Sequence, residues 1–341
     1  MSPDAPPLLT SLLEQVSRSF YKTLWILPRS VRNPISLAYL LARTTDTIAD
    51  TEILPLEQRL DALRQFGERI AGANPEPLDF TALARAQGSP AERMLLERSG
   101  ETLEALDQTS EADRKRIRHV LQTIVSGQEL DLQRFDGASA TQIRALATDA
   151  ELDDYTYRVA GCVGEFWTEM CRTHVDHAFE MDPSLLAEPD LTKLAIRFGK
   201  GLQLVNILRD LPRDLRTGRC YLPKGKLRSA GLVPADLLDP GNETRIRPLY
   251  NSYLDLAKDH LTAGWRYTQV ARSPRIRLAC AWPILIGMRT LALLRRDPIL
   301  DPDKRIKIGR SEVKRIVLRS LLTLPVPPLW RRCFASASRD A

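Results

Sequence analysis

Apolar residues recur along this chain at three- and four-residue steps, and that spacing commits it to helices. In Leu8–Leu27 the residues Leu9, Leu12, Leu13, Val16, Phe20, Leu24 and Leu27 fall on one helical face. Pro28 interrupts the pattern, and a second helix is expected after Pro34, carrying Leu37, Leu40, Leu41, Thr44, Thr45 and Ile48 toward Asp50. Leu56–Ala71, Pro90–Leu106 and Ala112–Phe135 read the same way, with Ser110 placed to start the last of them. Further on, Thr141–Met181 reads as a long helix broken near Gly161 and Gly164, followed by Leu191–Leu211, Glu243–Ala271, Pro274–Arg296 and Ser311–Leu324. Gly218–Pro240, rich in Gly and Pro, reads as a loop with short turns. Strand signals are scarce, so the expected fold class is all-α. No composition break marks a linker, which predicts one domain over 1–325 and a flexible basic tail over 326–341.

The 341 residues are 43% hydrophobic, enough for a sizeable core, and disorder throughout is excluded. Five cysteines, odd in number and widely spaced, suit reduced thiols in the cytosol better than a disulfide framework. No signal peptide is apparent at Met1–Leu13, and the apolar run Leu278–Leu294 contains Pro283 and Arg289 and reads as a buried helix. A cytoplasmic protein is expected. The formal charge of +6 is concentrated in the last fifty residues, among them Lys314, Arg315, Arg319, Arg331 and Arg332. Such a stretch is either a solvated basic face or a surface for phosphate or anionic lipid, which makes peripheral membrane contact an expectation. With 6% aromatics and no basic–aromatic interleaving, nucleic acid is disfavoured.

Two carboxylate pairs point to chemistry. Asp46 and Asp50 lie four apart, as do Asp210 and Asp214. On a helix this spacing puts both carboxylates of a pair on one face, where they repel unless a cation sits between them. Hard divalent ions such as Mg²⁺ take carboxylate oxygens and bridge to substrate phosphates. Both pairs lie in otherwise apolar stretches, where an unpaired carboxylate is expensive. Gln203, Asn206 and Asp210 share one face, either as companions of a metal site or as a hydrogen-bond ladder between helices. Arg43 and Arg209 stand beside the aspartates and supply the charge that a diphosphate leaving group needs. Pro212 removes the donor for the Leu208 carbonyl and is expected to kink or end its helix and splay Asp214 outward. His174 and His177 flank Asp176 without an evident third ligand, so a solvated face is the preferred reading there.

Four blocks, in order, resemble the squalene/phytoene synthase family: Ser17-Arg18-Ser19-Phe20, the run from Ala38 to Asp50, Tyr155 to Gly164, and Gln203 to Asp214 continuing into Gly218-Arg219-Cys220-Tyr221-Leu222-Pro223. The resemblance implies the isoprenoid synthase fold, a helical bundle around a central apolar channel, and head-to-head prenyl transfer. It implies Mg²⁺ on Asp46, Asp50, Asp210 and Asp214 with Asn206 alongside. Ser17, Arg18, Ser19, Phe20, Tyr39, Arg43, Gln203, Asn206, Arg209 and Arg219 are implied in substrate binding, and Val159, Ala160 and Gly164 in lining the channel. Tyr155 matches the tyrosine that assists the proton loss closing a cyclopropane. The first aspartate block looks more like the squalene branch than the phytoene branch, with Ala49 in place of the frequent glutamate. Cys280-Ala281-Trp282-Pro283 resembles a helix motif near the reduction site of that branch. Arg305-Ile306-Lys307 resembles, with its basic residues transposed, the flap segment that engages NADPH; Arg18, Arg43 and Arg209 are implied in cofactor contact as well. The implied reaction joins two farnesyl diphosphates to presqualene diphosphate and reduces it to squalene. The alternatives are a dehydrosqualene or phytoene synthase without reduction, and a catalytically silent helical member.

Overall fold

Helix boundaries follow the apolar periodicity within a few residues over most of the chain. The computed structural model describes residues 11–17, 20–179, 188–301 and 303–341, the side chains of 188–190 excepted. Its helices include α1 (Arg29–Ala49), α2 (Leu56–Ala71), α3 (Glu111–Arg134), α4 (Asp149–Thr156), α5 (Cys162–His174), α6 (Glu188–Arg216), α7 (Glu243–Val270), α8 (Pro274–Arg296), α9 (Arg310–Thr323) and α10 (Pro327–Ser338). Strand pairing among the described residues amounts to a parallel ladder, Arg144–Ala145 with Arg219–Cys220, and two isolated bridges. The chain is all-α.

Local chemistry sets the helix starts. The Asp113 N–H donates to Ser110 Oγ at 3.2 Å and the Glu151 N–H to Thr148 Oγ1 at 3.3 Å, so each side chain satisfies one of the orphan donors at its helix start. At the far end of α6 the turn needs Gly218, whose φ is +84° and whose added Cβ would lie 2.2 Å from the Ser139 nitrogen.

The chain forms two compact units: residues up to Gln133 together with Phe166–Asp176, and Arg134–Glu165 together with His177–Ala341. In the first, Leu40, Leu41 and Ile48 of α1, Leu63 and Phe66 of α2, and Ile117 and Leu121 of α3 are fully buried. In the second, α6 lies along α7, α7 packs on α8, and α8 carries α9 and α10. Tyr250, Leu254, Leu261, Ile284, Met288 and Leu291 form its fully buried centre. By length and composition α8 is apolar enough to cross a membrane, yet 67% of its most apolar stretch is buried inside the protein. None of the five cysteines is in a disulfide, and all are buried.

Four expectations are corrected. The break near Gly161 is a π-helical turn, Tyr157–Gly161, that joins α4 to α5 without interrupting the helix. The helix expected over Pro90–Leu106 is two, Pro90–Glu97 and Ser99–Asp107, meeting at Arg98. The helix expected to kink or end at Pro212 does not end there and runs on to Arg216. The tail expected to be flexible beyond 326 holds α10, whose Trp330 stacks on Trp265 with ring centroids 5.1 Å apart.

Candidate active site

Asp46 lies in the last turn of α1, and the Asp50 N–H closes that turn on the Asp46 carbonyl at 2.8 Å, so the two carboxylates stand one turn apart on one face. Gln128 of α3 donates through Nε2 to Asp46 Oδ1 at 2.5 Å, and Arg43 approaches Oδ2 at 3.7 Å while its other nitrogen donates to Glu92 at 2.5 Å. Solvent reaches about half of the Asp46 side chain, 48%, even though protein atoms crowd its carboxyl closely. That crowding and the negative charge of Asp50, in that order, push its pKa up to about 6, against the opposing pull of Arg43 and Gln128.

Asp210 and Asp214 also sit one turn apart, because α6 continues past Pro212. The helix keeps its register through a substitute donor. Pro212 has no N–H to give the Leu208 carbonyl, and the fully buried Tyr250 of α7 donates its hydroxyl there at 2.9 Å. Arg209 forms a fork onto Asp210, Nε to Oδ1 at 2.9 Å and Nη2 to Oδ2 at 2.5 Å. Asn206, exposed on the same helix, faces Gln203 at 3.5 Å.

Tyr155 of α4 stacks on Tyr221, centroids 4.9 Å apart, and donates its hydroxyl to the Tyr221 hydroxyl at 3.4 Å; Phe135 meets Tyr221 edge-on. The smallness of Gly164 has a specific cause. A Cβ there would lie 2.1 Å from the Ala195 carbonyl oxygen, and one on Gly199 would lie 2.1 Å from that of Ala160. The two glycines let α5 and the π turn lie backbone to backbone against α6. Val159 and Ala160 are half-buried beside this crossing.

Several other residues implied in the site have different surroundings. The Ser17 hydroxyl donates to the Leu13 carbonyl at 2.5 Å and is buried, so it serves its own helix. Phe20 and Tyr39 pack ring against ring at 5.1 Å. Arg219 belongs to the two-residue ladder. Arg305 and Lys307 are exposed in the non-helical stretch between α8 and α9, with Ile306 buried between them. Arg18 and Ser19 lie outside the described residues. His174, expected on a solvated face, instead pairs with the buried Asp113 at 2.8 Å.

The oxygen-only donor set fits a hard divalent cation such as Mg²⁺. Among the described residues no three His, Cys, Asp or Glu side chains gather closely enough to enclose an ion alone. Two carboxylates per site, completed by substrate phosphate and water, is the usual way such an ion is held. Repulsion from Asp50 adds to burial in raising the Asp46 pKa, so a cation beside the pair is favoured. For NADPH the fit is poorer: Arg43 and Arg209 are engaged with carboxylates, and Arg305 and Lys307 are exposed on a non-helical segment.

Two residues on these contacts, Gln128 and Tyr250, escape a reading by motif, and Tyr221 falls inside a motif that gives it no role of its own. Gln128 announces itself only as a polar position on the apolar stripe Ile117, Val120, Leu121, Ile124 and Val125. Tyr250 has a signal in retrospect, since a proline inside a buried helix requires a donor from elsewhere.

Comparison with known proteins is consistent across sequence and structure. A family model described as squalene/phytoene synthase matches residues 13–312. The Botryococcus squalene synthase of Botryococcus braunii is 27% identical over 310 residues, covering 90% of this chain and 61% of that protein. The chain thus spans about three fifths of that relative's length. The presqualene diphosphate synthase of Rhodopseudomonas palustris is 28% identical over 306 residues, covering 88% of this chain and 92% of that protein. A solved structure of TcSQS in complex with the ligand E5700 superposes with a TM-score of 0.76 at 23% identity, over 98% of this chain and 92% of that one. The helical architecture is that of the isoprenoid synthase fold.

Proposed function

The chain belongs to the squalene/phytoene synthase family, and from that premise we propose that it joins two farnesyl diphosphates head to head, yielding presqualene diphosphate and then squalene. The observation that carries the first half is the preserved helical register of both aspartate pairs, with Tyr250 replacing the donor that Pro212 lacks. Mg²⁺ at these carboxylates supplies Lewis-acid neutralisation of diphosphate. Arg43 and Arg209, released from their carboxylate partners as a substrate phosphate arrives, bind the anionic leaving group. The C1–O bond of one substrate breaks with its electron pair leaving on diphosphate. The double bond of the second substrate then attacks the allylic carbon, and a proton is lost as the cyclopropane closes. We assign that proton to the hydroxyl of Tyr155, which is stacked on and hydrogen-bonded to Tyr221.

The reductive half rests on the resemblance of Arg305-Ile306-Lys307 and Cys280–Pro283 alone. A second reading, release of presqualene diphosphate as product, is supported by the 28% identity to a presqualene diphosphate synthase over 88% of this chain. Incubating the purified chain with farnesyl diphosphate and Mg²⁺, with and without NADPH, and weighing the extracted products by mass spectrometry decides between them. Squalene only with NADPH supports the full sequence. Presqualene diphosphate under both conditions supports the second reading. No turnover of farnesyl or geranylgeranyl diphosphate removes both and favours a silent helical member.

A further inference from the structure

The α9–α10 hairpin presents an apolar tip with arginines at its shoulders. On α9, Leu318, Leu321 and Leu322 lie three and four apart on one face and are 59%, 42% and 69% exposed. The face continues through the turn into Val326 and Leu329, both about two fifths exposed. Side chains of this size are ordinarily scattered singly on a surface, and five within twelve residues form a patch. The patch is rigid. Trp282 of α8 donates through Nε1 to Ser320 Oγ at 2.8 Å on the inner face of α9, and Trp330 is buried against Trp265 at the start of α10.

The backbone of the turn is suited to leaving water. Residues 325, 327 and 328 are prolines and carry no N–H. The remaining N–H groups are satisfied internally: Leu324 donates to Ser320, Val326 to Thr323, and Leu329 and Trp330 both to Val326, at 2.9–3.0 Å. Burying the tip in hydrocarbon therefore strands no backbone donor, the main penalty on irregular chain at that depth. The surroundings set the sign of the partner. Between Lys304 and Arg339 there are ten basic residues against one acidic, and Lys314, Arg315, Arg319, Arg331 and Arg332 are all exposed.

We propose that this hairpin is a wedge that docks the protein on an anionic bilayer surface, with Leu321, Leu322, Val326 and Leu329 entering the acyl boundary and the flanking arginines at phosphate level. Long basic side chains suit that depth, since their stems lie along apolar surface while their heads stay wet. A protein partner of the same chemistry would need an acidic rim around an apolar pocket; a bilayer offers both without shape matching. The inference is independent of which product the active site makes.

The test is co-sedimentation of the full chain with vesicles of phosphatidylcholine alone and of phosphatidylcholine with about one third phosphatidylglycerol. Binding is expected to the second and weakly, if at all, to the first. In Arg319→Gln/Arg331→Gln/Arg332→Gln affinity should fall roughly 100-fold, at about 1 kcal/mol per basic residue and tenfold per 1.4 kcal/mol. Leu321→Gln/Leu322→Gln/Val326→Gln should fall at least tenfold and become fully releasable by salt. Because these side chains are exposed, thermal melting should show both variants folded. Wild type remaining in the supernatant with both vesicles overturns the proposal. So does an apolar variant that binds as tightly as wild type, which would leave only a basic face. A wild-type dimer that the apolar variant dissociates, without vesicle binding, would assign the patch to self-association instead.

Discussion

Asp46 is the residue whose electrostatics are most informative. A carboxyl whose pKa is raised from 3.8 to about 6 is favoured in its protonated form by the fold, so its contribution to stability is present at acid pH and is lost as pH rises through about 6. Above that pH, and without a cation, the ionised Asp46–Asp50 pair strains the end of α1. Asp46→Asn keeps an acceptor for Gln128 and removes the repulsion. Its melting temperature at pH 7.5 without Mg²⁺ should rise by about 1–3 °C, while the further rise that Mg²⁺ gives wild type should vanish. A drop in melting temperature would mean that Arg43 and Gln128 outweigh Asp50. His260 of α7 behaves oppositely. Burial first, then Arg197 and Lys200, lower its pKa from 6.5 to about 4, and Arg197 Nε donates to its Nδ1 at 3.3 Å. The folded chain refuses a proton that the unfolded chain accepts below 6.5, so stability falls from pH 6.5 toward 4. Urea unfolding of His260→Gln should show a shallower loss over that window; an unchanged slope would place the acid sensitivity elsewhere.

At the scale of the element, α6 holds its register by a contact from another helix. Tyr250→Phe strands the Leu208 carbonyl in a buried setting and should cost about 1–3 kcal/mol in chemical denaturation, together with weaker Mg²⁺ dependence at the second aspartate pair. Pro212→Ala restores the missing N–H, so in the Tyr250→Phe background it should recover much of that loss. Positive coupling of about 1–2 kcal/mol in the double-mutant cycle is the signature, and strict additivity would show that the hydroxyl acts some other way. Where α5 crosses α6 the limit is steric. A methyl on Gly164 meets the Ala195 backbone at 2.1 Å and cannot be absorbed by a rotamer change, so Gly164→Ala should destabilise by about 3 kcal/mol, measured by urea unfolding.

Across the whole molecule, what was legible in the sequence was what periodicity and spacing encode. Leu56–Ala71 and Pro274–Arg296 were bounded as observed, and both aspartate pairs were found by their four-residue interval. What spacing does not encode is a partner supplied from a distant stretch. Pro212 looked like a helix end because Tyr250 lies 38 positions on, and Gln128 is 82 positions from the Asp46 it contacts. The last segment differs from its expectation for the same reason: its basic, proline-containing composition suggests a loose tail, while Trp330, Cys333 and Ala337 are buried on one face of α10. Trp265 is clasped between Trp330 and Phe334 at 5.1 and 4.9 Å, so residues after 326 complete the core of the second unit. A chain ending at Val326 exposes Trp265 and should lose about 5 kcal/mol, a fall of roughly 7 °C in melting temperature for a protein of this size. The apolar variant at the hairpin tip, by contrast, should melt close to wild type, because Leu321, Leu322 and Val326 are all exposed. Equal melting of the truncated and full chains would return 326–341 to the status of a tail, and with it remove the rigid support on which the tip depends.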